Sequence, residues 1–317
     1  MQIVCFDERE GFEGETPMPQ MPDKMIPILR NAMRMFRDDN EIMDPIKAER
    51  MLMGLSGGIM EHLVEGRVKR EDVFLHEFKA ALLRPSRRLI PGTVLYLHGG
   101  GYCTGGLEYA TWFGKLIAAT VGARTLCPAY RLAPEHPFPA ALEDALKAYR
   151  YLLERYPEEK ITLMGESAGG GLCFALCLRL KEEGLPQPEG VVAASPWTDL
   201  TLSGASYEIN REKDPSLNRE KLVIFADSYA RETATDFPLC SPLFGDLSGL
   251  PESRIYVGGH EILLDDSVKM AEALLKAGCA VSLTVAEEMW HVYLFYNLRK
   301  FRGHILEIAD FLRSKLA

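Results

Sequence analysis

The five residues Gly165-Glu166-Ser167-Ala168-Gly169 stand between a short apolar run, Ile161–Met164, and a helical stretch over residues 168–183. A serine flanked by glycines at a strand-to-helix junction predicts a tight turn that lifts its side chain out of a sheet. Glycines are needed there because side chains would clash and because the turn strains the backbone. The following helix points its free N–H groups and positive dipole end at the serine. Ser167 is therefore the candidate nucleophile, and a purely structural glycine turn is the weaker reading.

The rest of the chain fits such a junction. Residues 73–83 read as a strand region, and Thr93–Leu97 as a strand buried on both faces. Further strands are expected at Arg124–Pro128, Val191–Ala194, Arg254–Val257 and Val281–Val285. Helices are expected over 107–121, 139–155, 264–277 and 303–315. Strands alternating with helices predict an α/β fold with a mostly parallel central sheet flanked by helices. The rhythm breaks over 200–245, which is too long for an ordinary loop. Residues 1–65 also differ: ten of the 13 methionines precede residue 61. Met25, Leu29, Met33 and Phe36 fall on one helical face, and Ile42, Ile46 and Met53 suggest further short helices. These two segments are assigned to a helical cap over the C-terminal edge of the sheet, where such folds bind ligands. The expected organisation is a cap segment 1–65, a catalytic domain of 66–199 and 246–317, and a second cap segment 200–245. An ordinary core face is the plain alternative for the methionine-rich helices; Met also adapts to irregular ligands.

His98-Gly99-Gly100-Gly101 follows the 93–97 strand directly. Acyl transfer forms a tetrahedral oxyanion, and preorganised N–H donors lower its energy. The N–H groups of Gly100, Gly101 and Ala168 are the expected oxyanion hole, with His98 shaping the loop. A phosphate-binding loop would need a Lys-Ser/Thr pair, which does not follow. The base must be one of seven histidines. With the chain order serine, acid, histidine, it should follow the last strand. His291 does so, whereas His304 falls within the closing helix and His136 precedes the serine. The acid should lie after the 254–257 strand, where Glu261, Asp265 and Asp266 compete. Asp265 and Asp266 fall in the first turn of a helix, where acids favour the dipole. Glu261 is nearer the strand end and is favoured, with Asp265 the main rival.

These motifs together resemble the hormone-sensitive-lipase-like family of α/β-hydrolases, the bacterial family IV esterases. The matching residues are His98–Gly101, Tyr130-Arg-Leu-Ala-Pro-Glu-His-Pro137, Gly165–Gly170, Ser195-Pro-Trp-Thr-Asp199 and His291, over residues 70–315. The resemblance implies an α/β-hydrolase fold with a cap and a carboxylic ester hydrolase acting on short acyl esters, without a cofactor. It departs at Glu166, where the best-known members carry aspartate, a change expected to alter local hydrogen bonds only. Glu261-Ile-Leu falls where many members present Asp-Pro-Leu at the acid. The Tyr130–Pro137 stretch reads as structural, its prolines fixing a loop under the site. Asp199 either braces the site floor or serves a turn.

A formal net charge of -9 argues against nucleic acid as a partner. The seven cysteines show no metal-ligand spacing, so reduced thiols and no bound metal are expected. Cys173 and Cys177, one helical turn apart, read as small core residues. There is no signal-peptide pattern and no membrane-length apolar run, so a cytoplasmic protein without a membrane partner is expected. A homodimer through the sheet edge is implied by family analogy alone. A catalytically silent small-molecule receptor on the same scaffold is the competing reading, and the presence of both Ser167 and His291 argues against it. An amidase or thioesterase would use the same apparatus.

Overall fold

The computed structural model describes residues 22–38, 44, 46, 47, 49–51, 53, 66–87, 89–296 and 298–317. Of the face predicted through Met25, Leu29, Met33 and Phe36, the side chains of Leu29 and Phe36 are outside what is described, and Ile42 of the further helices lies outside the described residues. Eight strands form one sheet: β1 (Val68–Leu75), β2 (Phe78–Pro85), β3 (Thr93–Leu97), β4 (Arg124–Pro128), β5 (Ile161–Glu166), β6 (Val191–Ala194), β7 (Ser253–Gly258) and β8 (Val281–Ala286). Their spatial order is β1-β2-β4-β3-β5-β6-β7-β8. The pairs β1–β2 and β2–β4 are antiparallel and the other pairs parallel.

The single strand region expected over 73–83 is a hairpin instead. Leu75 pairs with Phe78 around a turn at His76-Glu77. His76 takes φ 61, a left-handed conformation without the Gly or Asn that usually marks such a turn. The other predicted strands lie where expected.

Side chains alternate across the sheet and build two cores. From β3, Leu95 and Leu97 enter one layer, and Val94 and Tyr96 the other. The second layer is closed by α2 (Leu107–Val121) and α8 (Arg302–Leu316), through Trp112, Phe113, Ile308 and Leu312. The first is closed by α3 (Ala140–Arg155), α4 (Ala168–Glu182) and α7 (Leu264–Lys276), through Leu146, Leu176 and Leu274. Buried Cys173 and Cys177 lie in that core, and the six described cysteines are free.

Between β6 and β7 the chain forms α5 (Ser206–Ile209) and α6 (Arg219–Ala230) and no strand. At the N-terminal end, α1 (Ile26–Asp38) approaches the loop after β8. There Arg30 donates to the Glu288 carbonyl at 3.1 Å and stacks over Trp290 at 5.4 Å. Among the described residues no helix is long and apolar enough to cross a membrane.

Candidate active site

Parallel strands bring their C-terminal ends to one rim, and the site is built from the residues just beyond them. Glu166 ends β5, and Ser167 starts the turn into α4 with φ 55 and ψ -126. Sterics explain the neighbouring glycines. A Cβ on Gly165 would lie 2.4 Å from the Gly169 carbonyl oxygen, and one on Gly169 would lie 2.1 Å from that of Leu97. Two other non-glycine residues with positive φ belong to the same rim, Ser195 at 48 and Val292 at 53. Strained backbone of this kind clusters where surrounding structure fixes a functional geometry.

Three of the sequence-predicted residues meet in one hydrogen-bonded line. His291 Nε2 lies 2.9 Å from Ser167 Oγ, and its Nδ1 lies 2.7 Å from Glu261 Oε2. Glu261 is fully buried, and His291 is 8% exposed. Burial pushes the Glu261 carboxyl above its usual range, while the His291 contact and the Gly258 N–H pull it back down. Asp265 is not brought to the histidine. It lies half-buried in the first turn of α7 and accepts from the Ser206 N–H at 3.1 Å. Asp266 is buried elsewhere, accepting from the N–H groups of Thr198 and Asp199 and from the Tyr207 hydroxyl. Burial and the neighbouring Asp199 carboxylate push it up to about 8.

The glycine loop passes against the serine: a Cβ on Gly99 would lie 3.0 Å from Ser167 Cβ. The N–H groups of Gly100, Gly101 and Ala168 donate to no acceptor among the described residues. His98 is fully buried, with Nδ1 2.7 Å from the Gly99 carbonyl oxygen and its ring stacked on Tyr130 at 4.2 Å. Burial lowers its pKa to about 4, so the ring is neutral and Nδ1–H donates. Tyr130 donates to the His98 carbonyl at 2.6 Å, tying the Tyr130–Pro137 stretch beneath the loop. Asp199 serves a turn, accepting from Thr201 and Ser203.

Several residues with no predicted role complete the setting. Ser195 donates to Glu261 Oε1 at 2.9 Å and accepts from the Val292 N–H at 3.0 Å, joining the acid to the histidine loop. Asn210 donates to the carbonyls of Gly259 and Glu261, and Asp214 accepts from the Ile262 N–H at 3.0 Å. The 200–245 segment thus braces the loop that carries Glu261. Ser195 was marked in the sequence by the Ser195–Asp199 resemblance and by its position at the end of β6, beside β5, but neither signal gave its role. Asn210 and Asp214 had none, because their contacts cross about fifty residues of sequence. Among the described residues no group of three or more His, Cys, Asp or Glu side chains is arranged to hold a metal ion.

Comparison with known proteins agrees with this architecture. The sequence pattern of the alpha/beta hydrolase fold matches residues 94–295. An acetyl-hydrolase of Streptomyces hygroscopicus is 41% identical over 238 residues, spanning 74% of this chain and 79% of that protein. An esterase from the bacterial hormone-sensitive lipase family superposes with a TM-score of 0.87 at 33% identity, covering 93% of this chain and 99% of its own. A second esterase, EstE5, whose crystals were soaked with p-nitrophenyl butyrate, gives 0.82 at 31% identity, covering 92% and 98%.

Proposed function

The chain belongs to the α/β-hydrolase fold family, in its hormone-sensitive-lipase-like branch, and is a carboxylic ester hydrolase of the serine hydrolase class; from that premise we propose that it cleaves short-chain acyl esters with a Ser167–His291–Glu261 triad. The observation that carries the proposal is the unbroken line from Ser167 Oγ through His291 to Glu261, beside three N–H groups that donate to no acceptor among the described residues.

His291 Nε2 takes the Ser167 proton as Oγ attacks the ester carbonyl carbon. Glu261 accepts from Nδ1–H, which leaves Nε2 free for the proton, and its charge stabilises the imidazolium. The negative oxygen of the tetrahedral intermediate is held by the N–H groups of Gly100, Gly101 and Ala168. Collapse expels the alcohol with the proton from His291 and leaves Ser167 acylated. Water, deprotonated by His291, releases the acid and restores the serine.

Residues 1–65 and 200–245 act as two cap segments over a catalytic domain of 66–199 and 246–317. The Phe225 ring of α6 supports this reading, because it would lie 2.1 Å from a Cβ on Gly101 and so roofs the glycine loop closely. A small roofed pocket gains about 0.8 kcal/mol per buried methylene until it is full, then loses through overpacking. The acetyl-hydrolase and the butyrate-soaked esterase among the relatives support short acyl groups. The protein partner, where there is one, is a second copy across the free sheet edge, which light scattering tests.

The deciding experiment is a p-nitrophenyl ester series from acetate to palmitate, run on the protein and on Ser167→Ala, with organophosphate labelling. Activity should peak at about two to eight acyl carbons, vanish in Ser167→Ala with the fold intact, and the label should map to Ser167. A label on another serine, or turnover by the alanine variant, overturns the proposal.

A further inference from the structure

Oxyanion stabilisation requires donors fixed before the reaction begins, and losing one costs about 10² to 10³ in rate. The Gly99–Gly101 run has no side chains to pack, and Gly100 and Gly101 take φ 112 and 60. Its peptide planes are therefore held only by bonds from outside. Gly100 is anchored through its carbonyl by the N–H groups of Cys103 and Thr104, and the run is anchored upstream by Tyr130 at the His98 carbonyl. The N–H side of the run has one anchor of a different kind.

Glu166 supplies it. Leu97 of β3 pairs with Gly165 of β5, so the residue before Ser167 lies beside the start of the glycine loop. Its Oε1 accepts from the Gly99 N–H at 2.5 Å and its Oε2 from the Tyr96 hydroxyl at 2.6 Å. The Tyr109 hydroxyl of α2 is also near enough to favour the ionised carboxyl. Both donors are neutral, and the carboxyl is fully buried. Burial pushes it up to about 7. A buried carboxylate without a cation is costly, so a tie that served the fold alone would be made at less cost by an amide. A carboxylate, however, offers acceptors only, and that suits two donors converging from different segments.

We propose that Glu166 is a positioning residue for ester hydrolysis: its carboxylate grips the Gly99 N–H and so sets the N–H groups of Gly100 and Gly101 against the reacting carbonyl at Ser167. This rests on the reading of Ser167 as nucleophile and of the glycine loop as the oxyanion hole. Glu166 bridges the chain that carries the nucleophile and the chain that carries the donors, so the two move as one body.

The test compares Glu166→Gln, Glu166→Ala and Ser167→Ala on p-nitrophenyl butyrate. Rates of the parent and the two Glu166 variants are divided by sites titrated with an organophosphate, so that unfolded protein does not count; the rate of Ser167→Ala is divided by folded protein measured by circular dichroism. Gln keeps one acceptor and should lower kcat about tenfold; Ala keeps none and should lower it about a hundredfold. KM should stay within about twofold in both, because the substrate is bound before the oxyanion exists. Affinity for a trifluoromethyl ketone, which adds to the serine as a tetrahedral oxyanion, should fall by the same factor as kcat/KM. Should Ala fail to fold, Gln decides alone. A kcat per titrated site within about twofold of the parent, or a loss confined to KM, overturns the proposal. Turnover by Ser167→Ala would instead overturn the reading beneath it.

Discussion

In the proposed arrangement the strand-end wall of the site and the cap wall are held by different means. At the strand ends the positions follow from backbone: a left-handed Ser167, glycines that exclude side chains at 165 and 169, and Gly258 donating to Glu261. At the cap the positions follow from side chains that meet across long stretches of sequence. Phe225 lies on Gly101, buried Lys221 pairs with Glu49 at 2.9 Å, and Arg50 reaches the Cys103 and Ala133 carbonyls. The proposed chemistry thus rests on local backbone that tolerates little change. The proposed pocket would take its shape from contacts that can be exchanged one at a time, so substitutions on the two walls should differ in size and in the constant they affect.

The largest contrast is expected within the strand-end wall. Glu261→Gln keeps the shape but removes the charge that stabilises imidazolium, and kcat should fall on the order of 10⁴ if the serine-protease precedent holds. Asp265→Asn alters only a helix-turn bond to Ser206 and should change kcat less than about threefold. Steady-state rates on one ester settle it, and a greater loss from the Asp265 variant would hand the acid role to that residue.

The same contrast explains what could be read in the sequence. The Ser167 turn, the glycine loop and the histidine after the last strand all depend on residues adjacent in the chain, so spacing pointed to them as candidates, and the fold brings Ser167 and His291 within hydrogen-bond reach. Glu261 was separable from Asp265 by its nearness to the strand end and by Glu261-Ile-Leu falling where relatives carry Asp-Pro-Leu, since both are short-range candidates on one loop. The hairpin at His76-Glu77 was hidden because no glycine, asparagine or proline marks its turn. Ser195 bridging Glu261 and Val292, and Asn210 bracing the Glu261 loop, are tertiary contacts between distant segments, and composition carries no trace of them. Glu166 was legible as a departure from its relatives, but its grip on Gly99 needed the register of β3 against β5.

A smaller effect separates the walls by pH. Asp266 and Glu166, both buried near the strand ends, are pushed up to about 8 and about 7. The native state keeps protons there that the unfolded chain has already released, so these groups lower stability as pH rises towards their folded values. Buried His98 acts oppositely, but only below the ordinary histidine value of about 6.5. Between pH of about 6.5 and 8, urea midpoints should therefore decline, and Asp266→Asn should flatten the decline by at most about 2 kcal/mol. A parent protein whose stability rises across that interval would show that neither carboxyl is protonated in the folded state. Exposed cap pairs such as Arg50–Glu135 stay fully charged throughout and should contribute no slope.

The smallest effect belongs to the cap, and Arg50 is the place to look for it. Its guanidinium donates to the Cys103 carbonyl at 2.8 Å, the Ala133 carbonyl at 2.9 Å and both oxygens of Glu135. The Glu135 pair is 32% and 55% exposed, so that contact alone is worth about 0 to 1 kcal/mol. The carbonyl bonds matter more, because Cys103 and Ala133 belong to the stretches that carry and underlie the glycine loop. Next to them, the Thr104 hydroxyl sits 3.0 Å from Met53 Sδ and 2.8 Å from the Gly100 carbonyl. Arg50→Ala should loosen this corner of the roof without touching Ser167, His291 or Glu261. KM for butyrate should rise about threefold with kcat nearly unchanged, the mark of lost uniform binding. The acyl-length profile should broaden towards longer chains. Arg50→Lys keeps the charge but not the planar fork and should fall between the two. An unchanged KM and profile in a folded Arg50→Ala protein would separate the methionine-rich N-terminal segment from the pocket and leave α6 as its roof.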